Sequence, residues 1–382
     1  MNRIYLDHAA TSPMHPNVID KMMTVMSHDF GNPSSIHAFG REARHVLDEA
    51  RLSIATSIGA GRNEIIFTSG GTEADNTAII GIANAYKEKG KHIITTEIEH
   101  HAVLHTCQFL EKSGFEVTYL PVNEAGLISI ADLKAALRDD TILVSVMFGN
   151  NEVGTIQPIA EIGQLLKDHQ AFFHTDAVQA YGLIHIDVRE LGVDLLSVSG
   201  HKINGPKGIG FLYIREGLKL NPHLYGGEQE RKRRAGTESV PAIAGFAEAV
   251  LIAQSMMDKK TEQYLQFKDV LLAVFDEADV QYEINGSMEQ SLPHVLNVSF
   301  PGTNVESMLV NLDLAGVAVS SGSACTAGSI EPSHVLVAMF GKGSERTKNS
   351  IRFSYGLNNT EQEVRQAAET TVKIVKRLVQ QQ

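Results

Sequence analysis

The sequence predicts an α/β protein with one large domain and a smaller one. Three observations lead there. The chain has 382 residues, more than a single core commonly organises. Short apolar runs alternate with helix-length stretches from about residue 64 onward. One of those runs, 141–148, is apolar almost throughout, as a parallel strand covered on both faces requires.

The composition is that of an ordinary soluble globular protein: 43% hydrophobic and 20% charged residues. A formal net charge of -12 argues against nucleic acid as the main ligand. The two cysteines, Cys107 and Cys325, cannot build a disulfide framework or a four-cysteine zinc site. Met1-Asn2-Arg3 runs straight into Ile4-Tyr5-Leu6-Asp7 with no signal-peptide pattern. No apolar run reads as long enough to span a membrane. The expectation is a cytoplasmic protein with reduced thiols and no membrane association.

Taken in order, residues 4–13 read as a short strand ending in a turn. Pro16 opens a helix over 16–27. Ser34 or Ser35 is placed to cap a second helix running through Arg51. The run 64–68 meets Gly70-Gly71-Thr72, and a helix follows to about residue 89. That junction is either an anion site at a helix N-terminus or an ordinary helix capped by Thr72. A strand over 91–96 leads through Glu99-His100-His101 into a helix ending near 112. His101 and His105 stand one turn apart without an evident third metal ligand. His100 is either a plain solvated or core histidine or a flat ring that stacks on an aromatic cofactor.

A strand over 115–120, a helix over 129–137 and the strand 141–148 come next. Asn150-Asn151 just past that strand are either turn residues or ligand-binding amides. A helix over 159–168 precedes the strand 171–179, whose Asp176 follows an apolar run. A buried carboxylate needs a partner, either a structural cation or a protonated pyridine nitrogen.

Near the middle of the chain, Ser199-Gly200-His201-Lys202 to Gly210 lies between the apolar runs 193–198 and 209–214, which read as buried strands. Lys202 is either a solvated hairpin lysine or an amine lowered in proton affinity that attacks an aldehyde. The loop lacks the Gly-Lys-Ser/Thr of a triphosphate-binding loop. The basic run 231–234 reads as a solvated loop or as an anion or partner site. A long helix over 241–273 joins the two domains.

The last third has strands at 295–300, 317–319 and 350–354, and helices at 304–312 and 360–379. Between them, Ser320 to Ser329 is a small-residue loop around Cys325. No apolar run surrounds that cysteine, which favours a reactive thiol over a buried one. Arg352 is either a surface residue or a two-pronged carboxylate ligand.

The chain resembles the cysteine desulfurases of the NifS/IscS type over nearly its whole length. The resemblance rests on Tyr5-Leu6-Asp7-His8-Ala9-Ala10-Thr11, Asn32-Pro33-Ser34-Ser35-Ile36-His37, Thr68-Ser69-Gly70-Gly71-Thr72-Glu73 and Glu99-His100-His101-Ala102-Val103. It continues through Asn150-Asn151-Glu152, His174-Thr175-Asp176-Ala177-Val178-Gln179, Ser199-Gly200-His201-Lys202 and Ser321-Gly322-Ser323-Ala324-Cys325. Gly71 and Gly200 stand where relatives often carry alanine or serine, a change expected to matter little.

The resemblance implies a pyridoxal 5'-phosphate (PLP)-dependent transferase of fold type I, like aspartate aminotransferase, built as a homodimer. Its large domain, with a mixed, mainly parallel sheet, spans 16–257. Its small domain combines 1–15 with 258–382 and carries the reactive-cysteine loop 320–331. Lys202 binds the cofactor aldehyde and moves protons, Asp176 pairs with the pyridinium, and Gln179 meets the phenolic oxygen. His100 stacks on the ring and serves as a catalytic acid/base. Gly71, Thr72, Ser199 and His201 hold the phosphate, with Thr237 reaching it across the dimer interface. Asn151 and Arg352 bind the substrate carboxylate. Cys325 takes the sulfur of L-cysteine as a persulfide, leaving L-alanine, and passes it to an iron–sulfur scaffold or a tRNA thiolation enzyme. A transient iron–sulfur ligand role for Cys325 is left open. Rival readings are a selenocysteine lyase or aminotransferase of the same fold, and a non-catalytic sulfur carrier.

Overall fold

The computed structural model describes residues 3–321 and 332–380. Strand β1 (Ile4–Tyr5) leads to helices α1 (Pro16–His28) and α2 (Ala38–Thr56). Then come β2 (Ile65–Thr68), α3 (Gly71–Tyr86), β3 (His92–Thr96), α4 (His101–Lys112), β4 (Glu116–Leu120), α5 (Ile130–Ala136) and β5 (Thr141–Ser145). Helix α6 (Ile159–Leu166), β6 (Phe172–Asp176), β7 (Leu195–Ser199) and β8 (Gly210–Ile214) complete a seven-stranded sheet in the order β2-β8-β7-β6-β5-β3-β4. Strands β7, β6, β5, β3 and β4 pair in parallel. Only β8 is reversed, antiparallel to both β7 and β2. Burial of every residue of β5, β7 and β8 explains their unbroken apolar runs.

Several boundaries differ from the expectation. The run 141–148 leaves the ladder after Ser145, yet its backbone stays paired: Val146 N–H donates to His174 O (3.1 Å) and Phe148 N–H to Asp176 O (2.8 Å). Neither Ser34 nor Ser35 caps α2. The His37 ring accepts the Gly40 N–H instead. Helix α3 starts at Gly71 after an N-cap Gly70 at φ 150°, a conformation that suits glycine, so Thr72 lies inside the helix.

Helix α7 (Val240–Glu277) is 38 residues long. Its first half contributes Ile243, Phe246, Val250 and Ala253 to the core under the large sheet. Its second half contributes Tyr264, Phe267, Leu271 and Phe275 to a separate core. That second core also takes in β9 (Glu283–Asn285), β10 (Val295–Ser299), α8 (Val305–Leu314) and β11 (Val317–Ala318). Helix α9 (His334–Phe340) packs instead with Ile98, Met147 and Val153. After α10 (Arg346–Asn349), β12 (Ser350–Ser354) and α11 (Glu361–Gln380) complete the second core. Strands β12-β10-β9 form an antiparallel sheet, and β1 pairs in parallel with β11. The expectation that no apolar stretch could cross a membrane needs correction. By length and composition α7 has one, but half of that window is buried inside the fold, and its apolar side is a core face.

Candidate active site

The loops after β2, β3, β5, β6 and β7 converge beyond the carboxyl ends of the parallel strands, where open α/β sheets bind ligands. They enclose a cavity of about 350 Å³. Ten of the residues expected from the sequence line it: Gly71, Thr72, His100, Asn151, Asp176, Gln179, Ser199, His201, Lys202 and Arg352. Thr237 does not, and is exposed. Cys325 lies outside the described residues.

Lys202 is not on a solvated loop. Residues 200–203 form one helical turn after β7, closed by Asn204 at φ 64°. Asn204 is held there by its side-chain bond to Pro13 O (3.0 Å). Of the stretch from Gly200 to Gly210, only Lys207 and Gly208 are exposed. The Lys202 ammonium donates to Ala10 O (2.8 Å) and to Ala9 O.

Asp176 ends β6, buried, and accepts the Val178 N–H at 2.9 Å. Burial pushes its carboxyl up to about 6, while the Val178 N–H and the Lys202 cation oppose the shift. Beneath it, Asp75 is pushed well above its usual range by burial and by Asp176. His174 lies 3.6 Å from Asp75, but burial lowers it to about 3. The ring is therefore neutral, bonded to Ser145 (2.8 Å) and Ser197 (3.0 Å), and the contact is no ion pair.

His100 caps α4 by accepting the Ala102 N–H at Nδ1 (3.1 Å). Burial and the Lys202 cation lower its pKa to about 4. It is a neutral ring with its proton on Nε2. His201, bonded to Thr11 Oγ1 at 3.1 Å, is likewise lowered to about 4 by burial and Lys202. The α3 N-terminus supplies unpaired backbone N–H groups beside Ser199. A Cβ at Gly71 would stand 2.7 Å from Val178 Cγ2, and one at Gly200 3.1 Å from Pro206 O. Alanine at Gly71 would require the Val178 side chain to shift, and at Gly200 a displacement of a few tenths of an ångström.

Arg352 is buried on β12 and already has an anionic partner. Its Nη2 reaches Asp7 Oδ1 at 2.7 Å and its Nη1 the Asn151 carbonyl at 2.8 Å. Its Nε has no partner among the described residues. Both stems of the 322–331 segment are tied to this site. Ser320 and Arg352 exchange backbone hydrogen bonds. On the far side, the Ser333 hydroxyl donates to Glu152 and His334 Nε2 to Glu99 O (2.9 Å). Cys107 is buried, with its thiol pushed up to about 12 chiefly by burial, so it is no nucleophile.

Two of the four cations in the basic run 231–234 are paired within the chain. Arg234 pairs with Glu73 (2.8 Å), and Lys232 pairs with Glu228 (2.9 Å). Sequence reasoning missed Asp75, Ala9 and Ala10 as site residues. Asp75 was findable, since it stands three residues after Thr72 on the same helical face. The backbone carbonyls of Ala9 and Ala10 carry no side-chain signal.

Buried Glu99, beside His100, predicts a pH effect. Burial pushes its carboxyl up to about 8 from 4.5. The folded state therefore holds a proton that the unfolded chain releases. The stabilisation is full below about 4.5 and is lost as pH rises through 8. His100 and His201 act oppositely, losing stabilisation as pH falls from 6.5 towards 4. In urea unfolding of the cofactor-free protein, Glu99→Gln should flatten the fall in stability between those limits, by at most about 1.4 kcal/mol per pH unit. An unchanged slope would refute the assignment.

The aminotransferase class-V profile matches residues 4–366. The IscS 1 protein of Bacillus subtilis (strain 168) is 63% identical over 378 residues, covering 99% of this chain and 100% of its own. The cysteine desulfurase IscS of Methanosarcina thermophila is 50% identical over 375 residues, covering 98% of this chain and 92% of its own. The solved structure of a NifS-like protein superposes with a TM-score of 0.91 at 36% identity, covering 98% of this chain and 99% of that one. With the fold, the cavity and the placement of its residues, these matches put the chain in the aminotransferase class-V family, in its cysteine desulfurase branch.

Proposed function

We propose that this protein is a PLP-dependent cysteine desulfurase that converts L-cysteine to L-alanine and holds the released sulfur on Cys325. The observation that carries the reading is the meeting of Lys202, Asp176, His100 and Arg352 around one cavity. The residues present fit the cofactor. A helix N-terminus with Gly71, Ser199 and His201 suits a phosphate. Asp176 spends one carboxylate oxygen on Val178 N–H and retains the other for a pyridinium. Lys202 supplies the amine, and the neutral His100 ring supplies a flat face.

Bound there, PLP supplies an aldehyde for amine condensation and an electron sink for negative charge next to the substrate nitrogen. Asp176, raised by burial to about 6 and still mostly ionised at neutral pH, would keep that sink protonated by charge pairing. Arg352 and Asn151 orient the substrate carboxylate, with Arg352 shared between it and Asp7. Lys202 moves protons at the substrate carbons. The Cys325 thiolate attacks the substrate sulfur. The carbon–sulfur pair stays with the carbon skeleton, which takes up a proton and leaves as L-alanine, while Cys325 becomes the persulfide. The two tied stems of its segment support Cys325 in this role. Exposed Thr237 fits service to a second copy in a homodimer. A sulfur-acceptor protein then collects the persulfide, in a cytoplasm that keeps the thiol reduced.

The test is the absorption spectrum and product yield of the PLP-loaded protein with L-cysteine. Wild type should show a band at the edge of the visible that L-cysteine shifts, and should form alanine. Cys325→Ala should keep the band and lose at least about 10²-fold in persulfide-dependent sulfur release. Sulfide release at the wild-type rate from that variant would favour a lyase or aminotransferase. A protein that takes up no PLP would overturn the reading.

A further inference from the structure

Behind Lys202, on the side away from the cavity just described, lies a second space of about 20 Å³. Its lining includes His8, Lys202, Lys260, Tyr264, His294 and Tyr355. His8, His294 and Tyr355 are 4%, 6% and 1% exposed. Three of their polar atoms have no hydrogen-bond partner among the described residues: His8 Nδ1, His294 Nδ1 and the Tyr355 hydroxyl. Buried polar atoms without partners are costly.

The same His294 reaches forward to the first cavity. Its Nε2 lies 3.1 Å from Gln179 Oε1, and Gln179 Nε2 lies 2.9 Å from the Ala9 carbonyl. A carbonyl can only accept, so the Gln179 amino group must face Ala9. Its oxygen then faces His294, which must donate from Nε2. Burial, Lys268 and Lys202 hold His294 well below its ordinary pKa, so the ring is neutral and Nδ1 is left as a lone-pair acceptor. His8 is lowered to about 4, mainly by burial, and is neutral too.

We propose that His294 is a positioning residue: it fixes the orientation of the Gln179 amide at the cofactor cavity, and its Nδ1 shares one buried water with His8 and Tyr355. His8 Nδ1 has no partner among the described residues and the ring hydrogen-bonds the Tyr5 backbone, which puts its proton on Nε2; the hydrogen-bond count then closes. One water donates to the two ring nitrogens and accepts the Tyr355 hydroxyl proton. The space is large enough for one water and has the polar partners that retain it. With both ends of Gln179 held, its second amide N–H is left to the ligand in the first cavity. The water also lies beside Lys202, so the pocket behind the amine is wet and ordered rather than apolar.

The effect on the cofactor rests on the function proposed above, while the tautomer and the water do not. The test therefore has independent arms. PLP is titrated into the cofactor-free protein and followed by absorbance. His294→Leu should weaken PLP binding by about 3- to 10-fold, the loss of one hydrogen bond's positioning. His294→Gln, which restores a donor to Gln179, should recover most of it. Equal affinity in wild type, His294→Leu and His294→Gln overturns the positioning role. Absence of PLP binding in wild type overturns the function instead, and leaves the second arm to decide on His294. There, nitrogen NMR of the wild-type protein with labelled histidine should show His294 neutral with its proton on Nε2. A proton on Nδ1 overturns the proposal, whether or not either variant folds. A high-resolution crystal structure should place one water within hydrogen-bond distance of all three atoms, and a dry space there overturns the shared water.

Discussion

Lys202→Ala is expected to leave a folded protein that has lost turnover of L-cysteine by at least about 10²- to 10⁴-fold, the range that a positioned proton-transfer group contributes. The covalent hold on the aldehyde would be lost as well, so the effect should lie at or beyond the upper end. The reason is positional. The amine sits on a helical turn fixed by Asn204, and its protons are already directed to the Ala9 and Ala10 carbonyls. No other lysine lines the cavity among the described residues. Loss of the side chain opens those carbonyls to the cavity, so stability should shift little. Steady-state alanine formation, read beside thermal unfolding, separates the two. An added small amine should restore part of the rate if the lysine acts as an amine. Turnover within tenfold of wild type would remove Lys202 from the mechanism.

Glu230→Ala is expected to produce the largest loss of stability. Arg51 and Glu230 are joined by two hydrogen bonds of 2.7 Å each, and their side chains are 8% and 2% exposed. Arg51 also donates to Ile65 O at 2.8 Å and lies 4.6 Å from the centre of the Phe67 ring. Removing Glu230 leaves a buried guanidinium without its counter-charge, which costs about 3–5 kcal/mol. Replacing both residues together, as Arg51→Met with Glu230→Leu, should recover most of it, because an apolar pair carries no desolvation penalty. Urea unfolding of the two variants makes the comparison, and equal loss in both would show that packing rather than charge is at stake. The pair also pins a run of three left-handed residues, Glu230, Arg231 and Lys232, at φ 45°, 59° and 65°. Such conformations persist only where the surroundings over-determine them. The loop leading to Thr237 should therefore lose its shape together with the ion pair, raising its proteolytic sensitivity.

Much of the site was legible because its residues sit at fixed offsets from strand ends. Asp176 closes β6, Ser199 closes β7, and Gly71 follows β2 closely, so an apolar run followed by a polar residue points to the same rim of the sheet. What stayed hidden depends on contacts between distant parts of the chain. Asp7 meets Arg352 across 345 residues, and Gln179 meets His294 across 115. No periodicity encodes either. The helix caps failed for a different reason. Ser34 and Ser35 have the right chemistry, but the chain turns so that the His37 ring, not a serine, reaches the Gly40 N–H in the first turn. The residues alone left the lysine loop open between solvated and functional, because glycine and proline density reports turns, not burial. Here the glycines admit close backbone packing, as where Gly205 N–H meets Gly200 O at 2.9 Å.

The pairing of β1 with β11, and of Asp7 with Ser354, sets an order of events during synthesis. The parallel sheet and its helices can assemble as their residues leave the ribosome, since domains generally fold as units from the N-terminal side. Residues 4–11 cannot settle then. Their partners at 317–318 and 352–354 are made last, and long-range pairings of this kind form slowly. Until they do, Ala9 and Ala10 are held from one side alone, by Lys202 and Gln179. A nascent chain arrested before residue 350 should therefore display a folded sheet with an unfinished site, and cofactor capture becomes an event that follows release.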